Sequence, residues 1–257
     1  GLVGSEMCIR DRLGKQLTKK SSFAFAAALM LALDCQHFTQ TRIATIDSYP
    51  VLFILFSWLF MLRFMQRDIV RLPVKKLLPD LALSGLFMGL GIASKWIGVY
   101  SGAGLAVAFF WTIFRHMRMA ATSAHLLKTD KSLSDEDRKI LTLRDQTTMK
   151  RVLVICLWCL LFFVAIPLAI YLLAYIPYFA YAHFDNLKDY LTAVWNAQLS
   201  MFSYHSKPGL GMDHPFYSPW YEWIFNQRPM YYASPTYVNT PGWSYATVSY
   251  THLTLPT

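Results

Sequence analysis

Residues 152–176 read VLVICLWCLLFFVAIPLAIYLLAYI, an apolar run of 25 residues without a single charge. An α-helix rises about 1.5 Å per residue and the hydrocarbon core of a bilayer is about 30 Å thick, so about 20 such residues cross it. This segment is long enough on its own and makes the chain a membrane protein. Cys156 and Cys159 lie inside the run without histidine or carboxylate neighbours in sequence. A thiol in hydrocarbon behaves as a small apolar side chain, so this pair points to packing rather than to zinc or redox chemistry.

Outward from that run, shorter apolar segments occupy residues 21–36, 49–65, 78–93 and 99–114, giving an expected all-α, polytopic bundle of about five spans. Composition agrees. Of 257 residues 55% are hydrophobic and 15% charged, against about 25% charged in an ordinary soluble domain. Pro79 followed by Asp80 reads as a helix start, and Gly85, Gly89 and Gly91 give the third span a face on which another helix can approach closely.

The net charge of +9 sits in blocks beside the apolar runs rather than along one polar face, which argues against nucleic acid as a partner. Lys15, Lys19 and Lys20 precede the first span. Arg63, Arg67, Arg71, Lys75 and Lys76 separate the second from the third, and Arg115, Arg118, Arg138, Lys139, Lys150 and Arg151 the fourth from the fifth. The positive-inside rule makes these segments cytoplasmic. Residues 115–151 then form a cytoplasmic linker with a short helix capped by Ser134. The turn at residues 37–46, the break at residues 94–98 and everything after residue 176 lie outside. Leu187, Tyr190, Leu191, Val194, Trp195, Leu199 and Phe202 recur at helical spacing, which predicts an external amphipathic helix at the bilayer surface. An aromatic, histidine-rich loop follows it, completing an external segment over residues 177–247.

Polar groups near membrane depth are candidate functional sites. Asp34, His37, Gln40, Arg42 and Asp47 gather at the outer end of the first two spans. The forked guanidinium of Arg42 suits a phosphate at headgroup level, or pairs only with Asp47 or Asp34. Lys95 beside Trp96 either meets an anionic lipid or snorkels to the interface. His205, His214, Tyr217, Ser218, Trp220, Trp223 and Arg228 offer aromatic faces and donors fit for sugar or peptide, and equally for anchoring at the interface.

Three of these stretches carry a resemblance. Residues 37–47, HFTQTRIATID, residues 89–98, GLGIASKWIG, and residues 214–223, HPFYSPWYEW, with RPMYY at 228–232, resemble in order three motifs of the protein O-mannosyltransferase family. The resemblance implies a GT-C-type membrane enzyme that moves mannose from a polyprenyl or dolichyl phosphate to Ser or Thr hydroxyls of proteins on the outer or lumenal side. It gives Arg42 and Lys95 the donor phosphate, and His37, Gln40, Asp47, Trp96, His205, His214, Ser218, Trp220, Trp223 and Arg228 the donor and acceptor cleft. No cofactor and no metal site is expected, and dependence on a divalent ion is left open. The family's general base lies in an external loop upstream of residue 21, so no catalytic residue is assigned and no transfer is expected from the chain as written. Tyr221 and Ile224 depart from the family's Trp and Pro.

Residues 1–12 and 248–257 resemble translated sequencing-adapter read-through, so the chain is expected to be an internal fragment. Compact loops point to a bacterial cell membrane rather than the endoplasmic reticulum. Alternatives are another lipid-linked GT-C enzyme with a different sugar or acceptor, and a transporter, which would carry polar residues along mid-depth helix faces.

Overall fold

The computed structural model describes residues 2–32, 46–130, 132–179, 184 and 186–209, and those residues are helical and without strands. The chain divides into two compact units, one of residues 1–29 and 46–174, the other of residues 30–45 and 175–257.

The first unit contains α1 (Leu2–Thr18), the start of α2 (Ser21–Ala32), α3 (Ser48–Met65), α4 (Val74–Ser94), α5 (Gly98–Thr129) and α6 (Asp135–Leu160). A π-helical turn, Leu161–Ala165, joins α6 to α7 (Ile166–Ala174). Among the described residues, three helical stretches are long and apolar enough to cross a bilayer: α3, α4, and the continuous rod Asp135–Ala174. Of the five expected spans these are the second, third and fifth. The first appears as a shorter apolar helix, Ser21–Met30. The fourth is the opening half of α5, where Tyr100, Ser101, Gly102 and Gly104 dilute the apolar character.

α3 and α4 form an antiparallel hairpin. Ser57 Oγ donates to the Ser84 carbonyl and Ser84 Oγ to the Ser57 carbonyl, both at 2.9 Å and fully buried, which satisfies two hydroxyls at mid-depth. Phe87 stacks on Phe56 and Phe60 at ring separations of 4.7 and 5.8 Å. Met61, Phe64, Leu77, Leu81, Phe109 and Ile155 make up the heart of the core. The last rod leans on this core with one face only: 17% of its most apolar stretch is buried. The rest is left for lipid, whose tails favour apolar side chains as much as a core does.

Two sequence expectations change. α4 starts at Val74, behind Pro73 in extended conformation, and Pro79 lies inside the helix. Asp80 is therefore not a first-turn carboxylate; it is paired with arginines of the preceding helix end. The linker over residues 115–151 is also not a tether with a short helix. α5 runs on to Thr129, and α6 begins at Asp135, so residues 130–134 are all that separate two long packed helices. Ser134 caps α6 as expected, its Oγ accepting from Asp137 N at 3.2 Å.

In the second unit, Asn186 caps α8 (Leu187–His205) by accepting from Asp189 N at 3.0 Å. The predicted amphipathic helix is present, with Val194 buried and Leu187, Trp195, Leu199 and Phe202 exposed.

Candidate functional site

The turn between α4 and α5 decides the geometry of one end of the bundle. Lys95 leaves α4 in extended conformation, and the amides of Gly98 and Val99 bond back to the carbonyls of Lys95 and Trp96 at 3.0 and 2.9 Å. This tight reversal lifts Lys95 and Trp96 out of the helices. Asp47 sits just before α3, where a carboxylate would normally cap the helix, yet its side chain makes no capping bond. It accepts from Lys95 Nζ at 2.5 Å instead. The side chains are 35% and 47% exposed, so solvent weakens the pair, which fixes position more than it stabilises. Alongside, Trp96 Nε1 donates to the Tyr171 hydroxyl at 2.8 Å.

Two of the recognised motifs, separated by more than forty residues, thus meet through Asp47 and Lys95. Tyr171 joins them, and sequence reading missed it. It lies in the most apolar run of the chain, and only the packing of α7 on α4 brings it to the turn. His205 is exposed at the end of α8 in the second unit, its ring edge-on to Tyr204 at 5.2 Å. His37, Gln40, Arg42, His214, Ser218, Trp220, Trp223 and Arg228 lie outside the described residues, as do Asp34 and Tyr217.

The opposite, basic end carries a second polar cluster. Arg67 and Arg63 approach the Asp80 carboxylate at 2.7 and 3.5 Å, and that carboxylate is 4% exposed. Asp68 accepts from Arg144 at 3.1 Å and from the amides of Val70 and Arg71 at 2.8 and 3.3 Å. Arg151 donates to the carbonyls of Ile69 and Leu72. These bonds lock residues 66–73 onto α6. Burial raises the Asp68 carboxyl pKa, but the two amides and then Arg144 outweigh it and hold the pKa below the usual carboxylate value. His116 is buried between Asp68, Arg115 and Arg144, with only a loose contact to the Arg67 backbone and no hydrogen bond of normal geometry. Burial lowers its pKa, and Arg115 and Arg144 push the same way against Asp68. Among the described residues no group of His, Cys, Asp and Glu is arranged to hold a metal.

Charged pairs therefore sit at the two ends of the α3–α4 hairpin, about 27 Å apart along a helix of this length. A family profile described as dolichyl-phosphate-mannose-protein mannosyltransferase matches residues 12–187, more than half of the chain. The chain belongs to this family. No curated protein and no solved structure gives a significant match. As a member of the dolichyl-phosphate-mannose-protein mannosyltransferase family, it is an integral membrane glycosyltransferase by class. The matched region contains the first two motifs, with Arg42, Asp47, Lys95 and Trp96, and ends where α8 begins. The aromatic motif at 214–223 lies beyond it.

Proposed function

We propose that this chain acts in the transfer of mannose from a polyprenyl or dolichyl phosphate to Ser or Thr hydroxyls of proteins. The family match over residues 12–187 carries the reading. In the reaction, the acceptor oxygen attacks the anomeric carbon from the face opposite the phosphate and inverts it. The bond from that carbon to the phosphate oxygen breaks, and the electron pair leaves with the phosphate. The hydroxyl proton passes to a carboxylate base, which the resemblance puts in an external loop upstream of residue 21.

Negative charge builds on the departing phosphate, so cations fixed there lower the barrier. Arg42 and Lys95 are the groups for this role. Lys95 is suited to it because its partner Asp47 holds the ammonium at the turn while about half of the side chain stays open. A phosphate needs only to replace or share that carboxylate. Trp96, oriented by Tyr171, offers a ring face beside it for the sugar. The working end is the one opposite the basic loops, external or lumenal by the positive-inside rule.

A transfer assay with radiolabelled polyprenyl-phosphate mannose and a Thr-containing peptide tests the reading. The full-length protein should mannosylate the peptide. Lys95→Met and Arg42→Ala should each lower kcat by about 10²–10³, the usual loss for one charge-stabilising donor. Transfer of a different sugar in preference to mannose would contradict it.

A further inference from the structure

On the basic side of the bundle, an open cleft of about 410 Å³ lies between α5 and α6. Trp111 and Phe114 come first, 61% and 53% exposed. Arg115 and Arg118 follow, then Met119, Thr122, Ser123 and Leu126. Steps of three and four residues keep all of these on a single stripe of the helix. Arg144 reaches in from the α6 wall.

The three guanidiniums differ in what they already hold. Arg144 is tied to Asp68 at 3.1 Å, and its Nε is buried with no hydrogen-bond partner. Arg115 donates through one nitrogen to the Met65 carbonyl at 2.9 Å, with no carboxylate within 4.0 Å among the described residues. Arg118 has no ion pair and no side-chain hydrogen bond among the described residues. Of the three, only Arg144 has a carboxylate partner among the described residues, and no acid lines the cleft, so it carries excess positive charge.

We propose that this cleft binds an anionic phospholipid, its phosphate held by Arg118 and Arg115 and its first acyl carbons lying against Trp111 and Phe114. A free phosphate would account for the arginines but not for two exposed aromatic rings, 6.1 Å apart, directly below them. A zwitterionic headgroup would bring its own cation and waste the surplus charge. Aromatic rings next to guanidiniums reproduce the sequence of layers at the edge of a bilayer, acyl chain and then headgroup. The site lies at the end of the bundle away from Asp47 and Lys95 and stands whether or not those residues hold the sugar donor.

Native mass spectrometry of the full chain, titrated with phosphatidylglycerol and with phosphatidylcholine, tests this. Phosphatidylglycerol should remain bound in preference. Arg118→Gln should weaken its retention by about fivefold, the effect of one cation near an anionic headgroup. Arg118→Lys should keep most of the preference, and Lys139→Gln, which removes a charge elsewhere on the same end, should leave it intact. The Arg118 side chain bonds to nothing in the described protein, so these variants fold if the parent does, and matched melting temperatures verify it. Equal retention of the two lipids, or an Arg118→Gln variant that keeps the preference, would overturn the site. Displacement by millimolar inorganic phosphate would overturn a lipid as its occupant. Displacement by polyprenyl-phosphate mannose in preference to phosphatidylglycerol would overturn the separation from the donor.

Discussion

At the residue scale the structure separates side chains that sequence reading had grouped by charge alone. Arg63, Arg67 and Arg151, cations of the basic blocks that orient the chain, also each hold a specific partner, Asp80 for the first two and the carbonyls of Ile69 and Leu72 for the third. His116 and Asp68 give this end a pH response. The His116 pKa is lowered in the fold, so the unfolded chain takes up the proton first, and stability falls as pH drops below about 6.5 toward the folded value. The Asp68 pKa is also lowered, so its contribution holds above about 4 and is lost as pH falls further through the folded value. Thermal melts of the purified protein from pH 8 to pH 3 should therefore decline in two stages. His116→Gln should flatten the first and, because His116 helps hold the Asp68 pKa down, move the second slightly toward higher pH. Lys95 and Trp96 were legible in the sequence because a lysine beside a tryptophan at a break between apolar runs has few readings. Tyr171 was not, since a tyrosine within a lipid-spanning run gives no local sign of what it will face.

At the scale of elements, the glycine stripe of α4 was visible in the sequence, but not which glycine is indispensable. A Cβ built on Gly85 would lie 2.1 Å from the Phe162 carbonyl oxygen, and one on Gly89 2.9 Å from Pro167 Cα. A Cβ on Gly91 would meet only Phe53 Cβ, at 3.6 Å. The close approach occurs where the last rod changes geometry. Ile166 N bonds to the Leu161 carbonyl five residues back, immediately ahead of Pro167, which has no N–H to give to Phe163. A widened turn accommodates that missing donor. Gly85→Ala should therefore destabilise by about 1–3 kcal/mol, the range for overpacking, while Gly91→Ala should leave the protein near its parent. Melting temperatures in a mild detergent decide this, and equal losses in the two variants would contradict the packing. The sequence could not tell these glycines apart because the discriminating partner, a carbonyl in a π-helical turn, lies more than seventy residues away. The start of α4 was misplaced for a related reason. Pro79 satisfies the rule for a first-turn proline, but Pro73, extended just before Val74, marks an earlier start, and tertiary pairing of Asp80 with Arg63 and Arg67 favours the longer helix.

At the scale of the molecule, apolar length and the placement of basic blocks were enough to predict a helical membrane protein, and the three longest spans follow from them. The continuation of α5 and α6 beyond the apolar boundary was hidden, because polar helices packed on each other lack the apolar run that marks a span. What the fold adds to function is a separation of charge. Among the described residues, Asp47 and Lys95 stand at one end of the α3–α4 hairpin, and the arginine clusters at the other. The first end bears Asp47 and the motif at residues 89–98, and the sugar donor is proposed to bind there. Equilibrium binding of polyprenyl-phosphate mannose to the purified chain in nanodiscs tests this without any need for turnover. Binding should saturate, be competed by polyprenyl phosphate, weaken about tenfold or more in Lys95→Met, as for loss of a hydrogen-bonded charge, and be unchanged in Arg118→Gln. Undiminished binding in Lys95→Met, or a loss confined to Arg118→Gln, would put the donor at the wrong end of the bundle and contradict the account.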